Sequence, residues 1–128
     1  MKFKVTQSKK FSLEFSNFPE QQQNKILDFI LDFRQNGLND FSLYEGKISH
    51  SWKNLEENSD RYKYAKNNNL WHYHIGIPKY IQNHSKFKTS NVVLHFQWKN
   101  EHTIKLVDIY DHYDSNGVFY LPKKKNLK

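Results

Sequence analysis

The chain has 128 residues, enough for one hydrophobic core, and we expect one folded domain over residues 1–122 followed by a basic C-terminal tail over residues 123–128. The absence of cysteine excludes disulfide bonds, thiolate metal sites and cysteine nucleophiles. Lys and Arg number 20 against 13 Asp and Glu, and the formal net charge of +7 favours polyanionic partners such as nucleic acid. No run approaches the roughly 20 apolar residues of a membrane span, so we expect a cytoplasmic protein with no membrane partner.

The N-terminal quarter predicts a strand and two helices. Residues 2–6 alternate polar and apolar side chains, as in a short edge strand. Ser8 is a typical N-cap residue and predicts a short helical segment after it. A stronger helix is expected over residues 19–35, because apolar side chains recur there at i, i+3, i+4 and i+7. These apolar residues are Ile26, Phe29, Ile30 and Phe33.

Residues 38–68 carry apolar anchors without a sustained period. We expect a long irregular segment there, which can contain one short strand or turn. Basic side chains alternate with aromatic ones in this segment, a mixture typical of single-stranded nucleic acid binding, where cations follow phosphates and rings stack on bases. The candidate RNA-binding residues are Lys47, Lys53, Arg61, Lys63, Lys66 and, further on, Lys79.

Three strands are predicted next, over residues 69–77, 91–99 and 103–111. Residues 100–102 suit a tight antiparallel hairpin between the last two strands, and residues 78–90 form a polar, basic loop.

The C-terminal residues predict a return to this sheet. Residues 115–117 form a turn, residues 118–121 pack back on the sheet, and the lysines at 123–125 begin a solvated tail. The elements together predict an α+β fold. Two N-terminal helices would pack on a twisted, mainly antiparallel, four-stranded sheet.

Histidines are concentrated on the predicted sheet. In the first of the three strands, the period-two alternation places Trp71 and Tyr73 on one face, and His72 and His74 on the other. The next two strands carry further histidines of their own. Several imidazoles are therefore expected on or beside one sheet.

Short motifs in these strands resemble those of the RelE/ParE toxin superfamily. Residues 70–76 follow the family pattern of leucine, aromatic, basic residue, any residue, basic residue, any residue and glycine. Residues 78–80 are similar to the basic-aromatic end of that motif. Residues 109–113 are similar to the final strand of the family. The order of elements agrees over residues 2–115. The resemblance implies a toxin of a bacterial type II toxin-antitoxin system that cleaves mRNA, often on the ribosome, and is neutralised by a cognate antitoxin.

Cleavage of RNA without a metal requires a base for the 2′-hydroxyl proton, cations beside the phosphorus, and an acid for the leaving 5′-oxygen. Histidine can serve as either proton carrier near neutral pH. We expect His74 and His112 to transfer protons, with His95 in reserve, and Tyr110 or Tyr113 to stack on a base or orient the nucleophile. No metal and no cofactor are expected.

Other interpretations stay open. His72 and His95 suit half-buried, hydrogen-bonded structural residues. A ParE-like gyrase-inhibiting toxin would share the fold, and a non-catalytic RNA-binding domain would share the charge. His72 and His74, with His95 or His112, have a spacing that permits a three-histidine zinc site of a metal hydrolase. The absence of an acidic residue from that strand and the positive net charge count against the metal site.

Overall fold

The computed structural model describes residues 2–82 and 87–128, which contain five β-strands and three α-helices. Within these residues, none of the helices has the length and apolar content that crossing a membrane requires. In chain order, the elements are β1 (Lys4–Gln7), α1 (Lys9–Phe15), α2 (Glu20–Asn36), β2 (Ile48–His50), α3 (Asp60–Asn67), β3 (Leu70–Ile77), β4 (Val92–Asn100) and β5 (Thr103–Asp111).

The strands form one mixed sheet in the order β1-β5-β4-β3-β2. Strand β1 runs parallel to β5, with Val5 opposite Ile104, and all other neighbours are antiparallel. The predicted α+β class is confirmed. The finer prediction of four strands and two helices is corrected to five and three. Strand β2 is the one short strand that residues 38–68 were expected to allow, and it joins the sheet as a fifth strand, whereas helix α3 in the same segment was not expected.

The N-terminal helices confirm the local predictions and cover one face of the sheet. Helix α2 begins after Pro19 and ends at Gly37, where the backbone has a positive φ of 64°. Its buried side chains pack on the sheet, where Phe29 stacks on Tyr73 with ring centroids 4.7 Å apart. This aromatic contact lies in the larger of two buried clusters, which fills the space between α1, α2 and the sheet.

Helix α1 depends on the buried side chain of Ser8. Its hydroxyl accepts a hydrogen bond from the Phe11 amide at 3.2 Å and lies 3.5 Å from the Val107 carbonyl oxygen. We expect Ser8→Ala to lower the free energy of unfolding by about 1–2 kcal/mol, because the helix loses its N-cap. Urea unfolding measures this loss. The exposed Ser12→Ala, in the same helix, is the matched control, and equal stability of the two variants would contradict the capping role.

Helix α3 covers part of the opposite sheet face and corrects the prediction of an irregular segment over residues 38–68. The Ser59 side chain caps it by accepting a hydrogen bond from the Tyr62 amide at 3.1 Å. Only Ala65 of this helix is buried, so the sequence lacks the apolar repeat that reveals a helix. Ala65 packs in a second cluster with Leu70 and residues of the C-terminal segment.

The C-terminal segment packs on the same face. The Tyr120 amide donates to the His112 carbonyl at 3.1 Å, as expected for a return to the sheet. Lys123–Lys125 are exposed, but Asn126 and Leu127 are buried, so the end of the chain differs from the solvated tail expected. Asn126 donates to the buried carboxylate of Asp108, which gives this segment a polar anchor.

Candidate functional site

Three histidines meet on the sheet face opposite α1 and α2. His72 and His74 lie on β3 and His112 follows β5, and one ring nitrogen from each lies within 4.8 Å of the others. The His74 and His112 rings are stacked, with centroids 5.1 Å apart and planes 25° apart, and the His72 ring lies 5.4 Å from His112. These side chains therefore converge although strand β4 separates their strands.

A β-bulge in β5 makes this convergence possible. His95 pairs with Asp108 while the next residue, Phe96, pairs with Leu106, so Val107 is the extra residue. Leu106 faces the N-terminal helices, whereas Val107 packs in the cluster on the other face. The extra residue reverses the alternation along β5, and His112 therefore shares a face with the β3 histidines.

Backbone and hydroxyl groups fix the two β3 rings. His74 Nδ1 lies 2.9 Å from the Ser90 carbonyl oxygen and 3.0 Å from its amide nitrogen, and His72 Nδ1 lies 2.9 Å from Ser51 Oγ. Each contact occupies Nδ1. The Ser90 amide donates to His74 Nδ1 in the tautomer that carries the proton on Nε2. In the other tautomer Nδ1 donates to the Ser90 carbonyl oxygen, and Nε2 keeps its lone pair for a substrate proton or a ligand.

A glycine lets the neighbouring segment approach β3 closely. A Cβ at Gly46 would lie 1.8 Å from the His74 carbonyl oxygen, so no larger residue fits there. The next residue, Lys47, accepts a hydrogen bond from the His74 amide at 2.9 Å. This contact brings the backbone of a basic residue beside the histidines.

Burial keeps the three histidines neutral near pH 7. Burial lowers the pKa of His74 to about 4, against the hydrogen bond with Ser90, which raises it, and with smaller lowering effects from His112 and Lys47. Burial also lowers the pKa of His72 well below its ordinary value, with smaller effects from neighbouring histidines and Lys47. The pKa of half-buried His112 is also lowered, first by burial and then by the charge of Lys47. Neutral imidazole rings, unlike cationic ones, can accept a proton or bind a metal ion.

The histidines lie in a basic cleft of about 840 Å³. Lys47, Lys53 and Arg61 contribute its positive charge, and Tyr113 lies at 4.4 Å from the His112 ring. Phe119 forms an apolar wall, with its ring 4.9 Å from His112 and 5.1 Å from His72. The other lining residues are Ser49, His50, Ser51, Asn54, Leu55, Ile81, Thr89, Ser90, Asn91 and Asp111.

The structure brings only some of the predicted site residues together. His74, His112, Tyr113, Lys47, Lys53 and Arg61 line the cleft. Tyr110 instead lies against Tyr120, with ring centroids 4.4 Å apart. Lys63, Lys66 and Lys79 do not line the cleft, and the ammonium group of Lys66 lies 5.7 Å from the ring centroid of Tyr62.

His95 lies beneath the cleft and does not line it. It is fully buried and pairs with His72 across the sheet. Neither of its ring nitrogens has a hydrogen-bond partner in the described part of the chain. Burial, with smaller contributions from His112 and His74, lowers its pKa to about 3. We infer that His95 is a neutral core residue that does not touch a substrate.

From the sequence, His72 was not among the residues expected to transfer protons, and the serines that contact the histidine rings were not identified. His72 is buried and hydrogen-bonded, as a structural residue would be, yet it also lines the cleft. The i, i+2 spacing of His72 and His74 was the sequence feature that indicated a shared face for the two side chains. Ser51 and Ser90, which contact the rings, gave no signal, because an isolated serine in a loop has no characteristic pattern.

A scan against protein-family models and searches of curated proteins and of solved structures found no match to this chain.

Proposed function

We propose that this protein is a metal-independent endoribonuclease that cleaves mRNA in the basic cleft, as a RelE-like toxin of a type II toxin-antitoxin system. The observation that carries the proposal is the stacked His74–His112 pair, at 5.1 Å, in a cleft with three cationic side chains. The ribosome and a cognate antitoxin are the proposed partners, in the cytoplasm. An acidic antitoxin segment would complement the net charge of +7.

Two histidines divide the proton transfers in this proposal. Neutral His74 takes the proton of the 2′-hydroxyl, whose oxygen then attacks the adjacent phosphorus. The bond from phosphorus to the 5′-oxygen breaks, and His112 gives a proton to that oxygen. The products are a 2′,3′-cyclic phosphate and a 5′-hydroxyl.

The cationic side chains and the substrate charge support these steps. Lys47 and Lys53 line the same cleft as the histidines and stabilise the negative charge that develops on the phosphoryl oxygens. A bound phosphate also raises the pKa of a neighbouring histidine, because an anion favours the imidazolium form. His112 thereby gains the proton that it donates. Tyr113 is 59% exposed beside it and is positioned to stack on a base.

The experiment that tests the proposal uses purified protein, excess chelator, and matched RNA and DNA strands. RNA is supplied both free, in the chelator, and as mRNA in a translating extract without chelator, because ribosomes need Mg²⁺. We expect RNA fragments with cyclic phosphate ends and intact DNA. A 2′-O-methyl group at the cleaved position should abolish the cut there. Cleavage of that blocked RNA, or no cleavage of either form of RNA, would contradict the proposal.

RNA binding should depend steeply on salt. If Lys47, Lys53 and Arg61 each neutralise one phosphate, log affinity falls with log salt concentration at a slope of about −2 for a single strand. Lys53→Ala should make the slope shallower by about 0.7. The exposed Lys99→Ala, on a strand end away from the cleft, is the control and should leave the slope unchanged. Fluorescence anisotropy at several salt concentrations measures the slope, and a salt-independent affinity would refute the charge-based binding.

A further inference from the structure

We propose that the cluster of His72, His74 and His112 binds Zn²⁺, and that bound zinc blocks RNA cleavage. The metal site stands on the geometry of the three rings alone. The inhibitory role rests on the proposed function, because it requires that His74 and His112 transfer protons.

The distances between the ring nitrogens suit a metal ion after small rotations of the side chains. The three ring nitrogens lie within 4.8 Å of one another. Zinc binds histidine nitrogens at about 2.0–2.1 Å, so two ligands of a tetrahedral ion lie about 3.3 Å apart. Rotations that bring the widest pair together by about 1.5 Å complete the site. The His112 ring is only half-buried, which leaves it room to move.

The groups around the rings are those that orient histidine ligands. In metal sites, the second ring nitrogen of a ligating histidine usually donates to a carbonyl, carboxylate or other acceptor. His74 Nδ1 lies 2.9 Å from the Ser90 carbonyl oxygen, and His72 Nδ1 lies 2.9 Å from the Ser51 hydroxyl. Nε2 is the ligand atom when Nδ1 donates in both contacts. The Ser90 amide also lies 3.0 Å from His74 Nδ1 and donates to it in the other tautomer, so zinc binding requires the His74 proton to be on Nδ1.

The donor set determines which ion is bound. Three imidazoles and no carboxylate in the cluster suit zinc or copper rather than magnesium or calcium, which take oxygen ligands. Three neutral ligands leave the charge of a dication unbalanced. Lys47 and Lys53, in the same cleft, then favour an anion or hydroxide as the fourth ligand.

Bound zinc would use the lone pairs that RNA cleavage requires. A coordinated His74 cannot accept the 2′-hydroxyl proton, and a coordinated His112 cannot deliver one to the leaving oxygen. The ion would therefore hold the cleft in an inactive form until it is removed.

Metal binding is measured directly, without an activity. Calorimetry with Zn²⁺ on the chelator-treated protein should give one site, and Co²⁺ should give the visible absorption of a tetrahedral nitrogen site. His72→Asn should weaken binding by about 100-fold or more, and Ser51→Ala by about 10-fold, because Ser51 orients the His72 ring. His102→Ala, a histidine outside the cleft, should bind as wild type does. Circular dichroism shows whether each variant is folded, and His112→Ala supplies a second ligand variant.

Inhibition is measured by titrating Zn²⁺ into the RNA cleavage reaction and comparing each variant with its own rate in chelator. We expect zinc to inhibit wild-type cleavage at concentrations near the dissociation constant found by calorimetry. For His72→Asn, the inhibitory zinc concentration should rise by about the same factor as the dissociation constant. Cleavage in chelator with neither binding nor inhibition by zinc would overturn the metal inference and leave the proposed function intact. Zinc binding through the three histidines without RNA cleavage would overturn the proposed function and the inhibitory role, and support the metal site. Cleavage that requires zinc would overturn both the metal-independent mechanism and the inhibition.

Discussion

His112→Ala should slow RNA cleavage by about 10²–10⁴-fold, the usual contribution of a group that transfers a proton in the transition state. The ring is half-buried in the cleft and stacked on His74, so its removal leaves the leaving oxygen without its acid. RNA affinity should change far less than the rate, because Lys47, Lys53 and Arg61 keep the positive charge of the cleft. Single-turnover cleavage with end-group analysis measures the rate, and anisotropy measures the affinity.

Two further variants make this result specific. His102→Ala should cleave at the wild-type rate, since His102 lies in the β4–β5 turn outside the cleft. The double variant His74→Ala/His112→Ala should lose little more than the slower single variant, because groups that act as a unit are not additive. Wild-type cleavage by folded His112→Ala would show that His112 is not the acid.

The second large effect is a loss of stability in mild acid. The pKa of His95 is lowered from 6.5 to about 3, so the unfolded chain binds a proton between these values that the folded chain does not. Stability from neutral His95 is therefore complete above pH 6.5 and falls as the pH drops towards 3, by about 1.4 kcal/mol per pH unit. His74, with a pKa of about 4, adds to the loss. We expect the free energy of unfolding to fall by about 3 kcal/mol or more from pH 7 to pH 4.5.

His95→Leu isolates the contribution of that residue. Leucine has a similar volume and removes two ring nitrogens that have no partner in the described part of the chain, so stability at pH 7 should be unchanged or higher. The fall between pH 7 and pH 4.5 should shrink by about 2–3 kcal/mol. Urea unfolding at both pH values measures this difference, with His102→Ala as the control. An acid loss as large in His95→Leu as in wild type would contradict the assignment.

Much of the fold followed from local pattern. Helix α2 was predictable because its apolar residues repeat at the helical period between Pro19 and Gly37. The three long strands were predictable because apolar and polar residues alternate along them. Helix α3 was not predictable from a repeat, because it buries only Ala65. Strand β2 has three residues and is too short to show a period. The fifth strand and third helix therefore emerged only from tertiary contacts.

The candidate site was predictable in composition but not in arrangement. The alternation in β3 indicated a histidine face, yet the same alternation continued from Ile104 along β5 would place His112 on the opposite face. The bulge at Val107 reverses that phase, and a bulge depends on pairing between strands. The positions of Lys63, Lys66 and Lys79 outside the cleft likewise depend on where their elements lie in the fold.

The most direct test of the central claim is inducible expression in bacteria of wild type, His112→Ala and His102→Ala, with growth measured together with 5′-end mapping of transcripts. We predict growth arrest and new 5′ ends within translated regions for wild type and His102→Ala, and neither for a folded His112→Ala present at equal amounts. Growth arrest without new transcript ends, or unchanged cleavage by His112→Ala, would contradict RNA cleavage by the paired histidines.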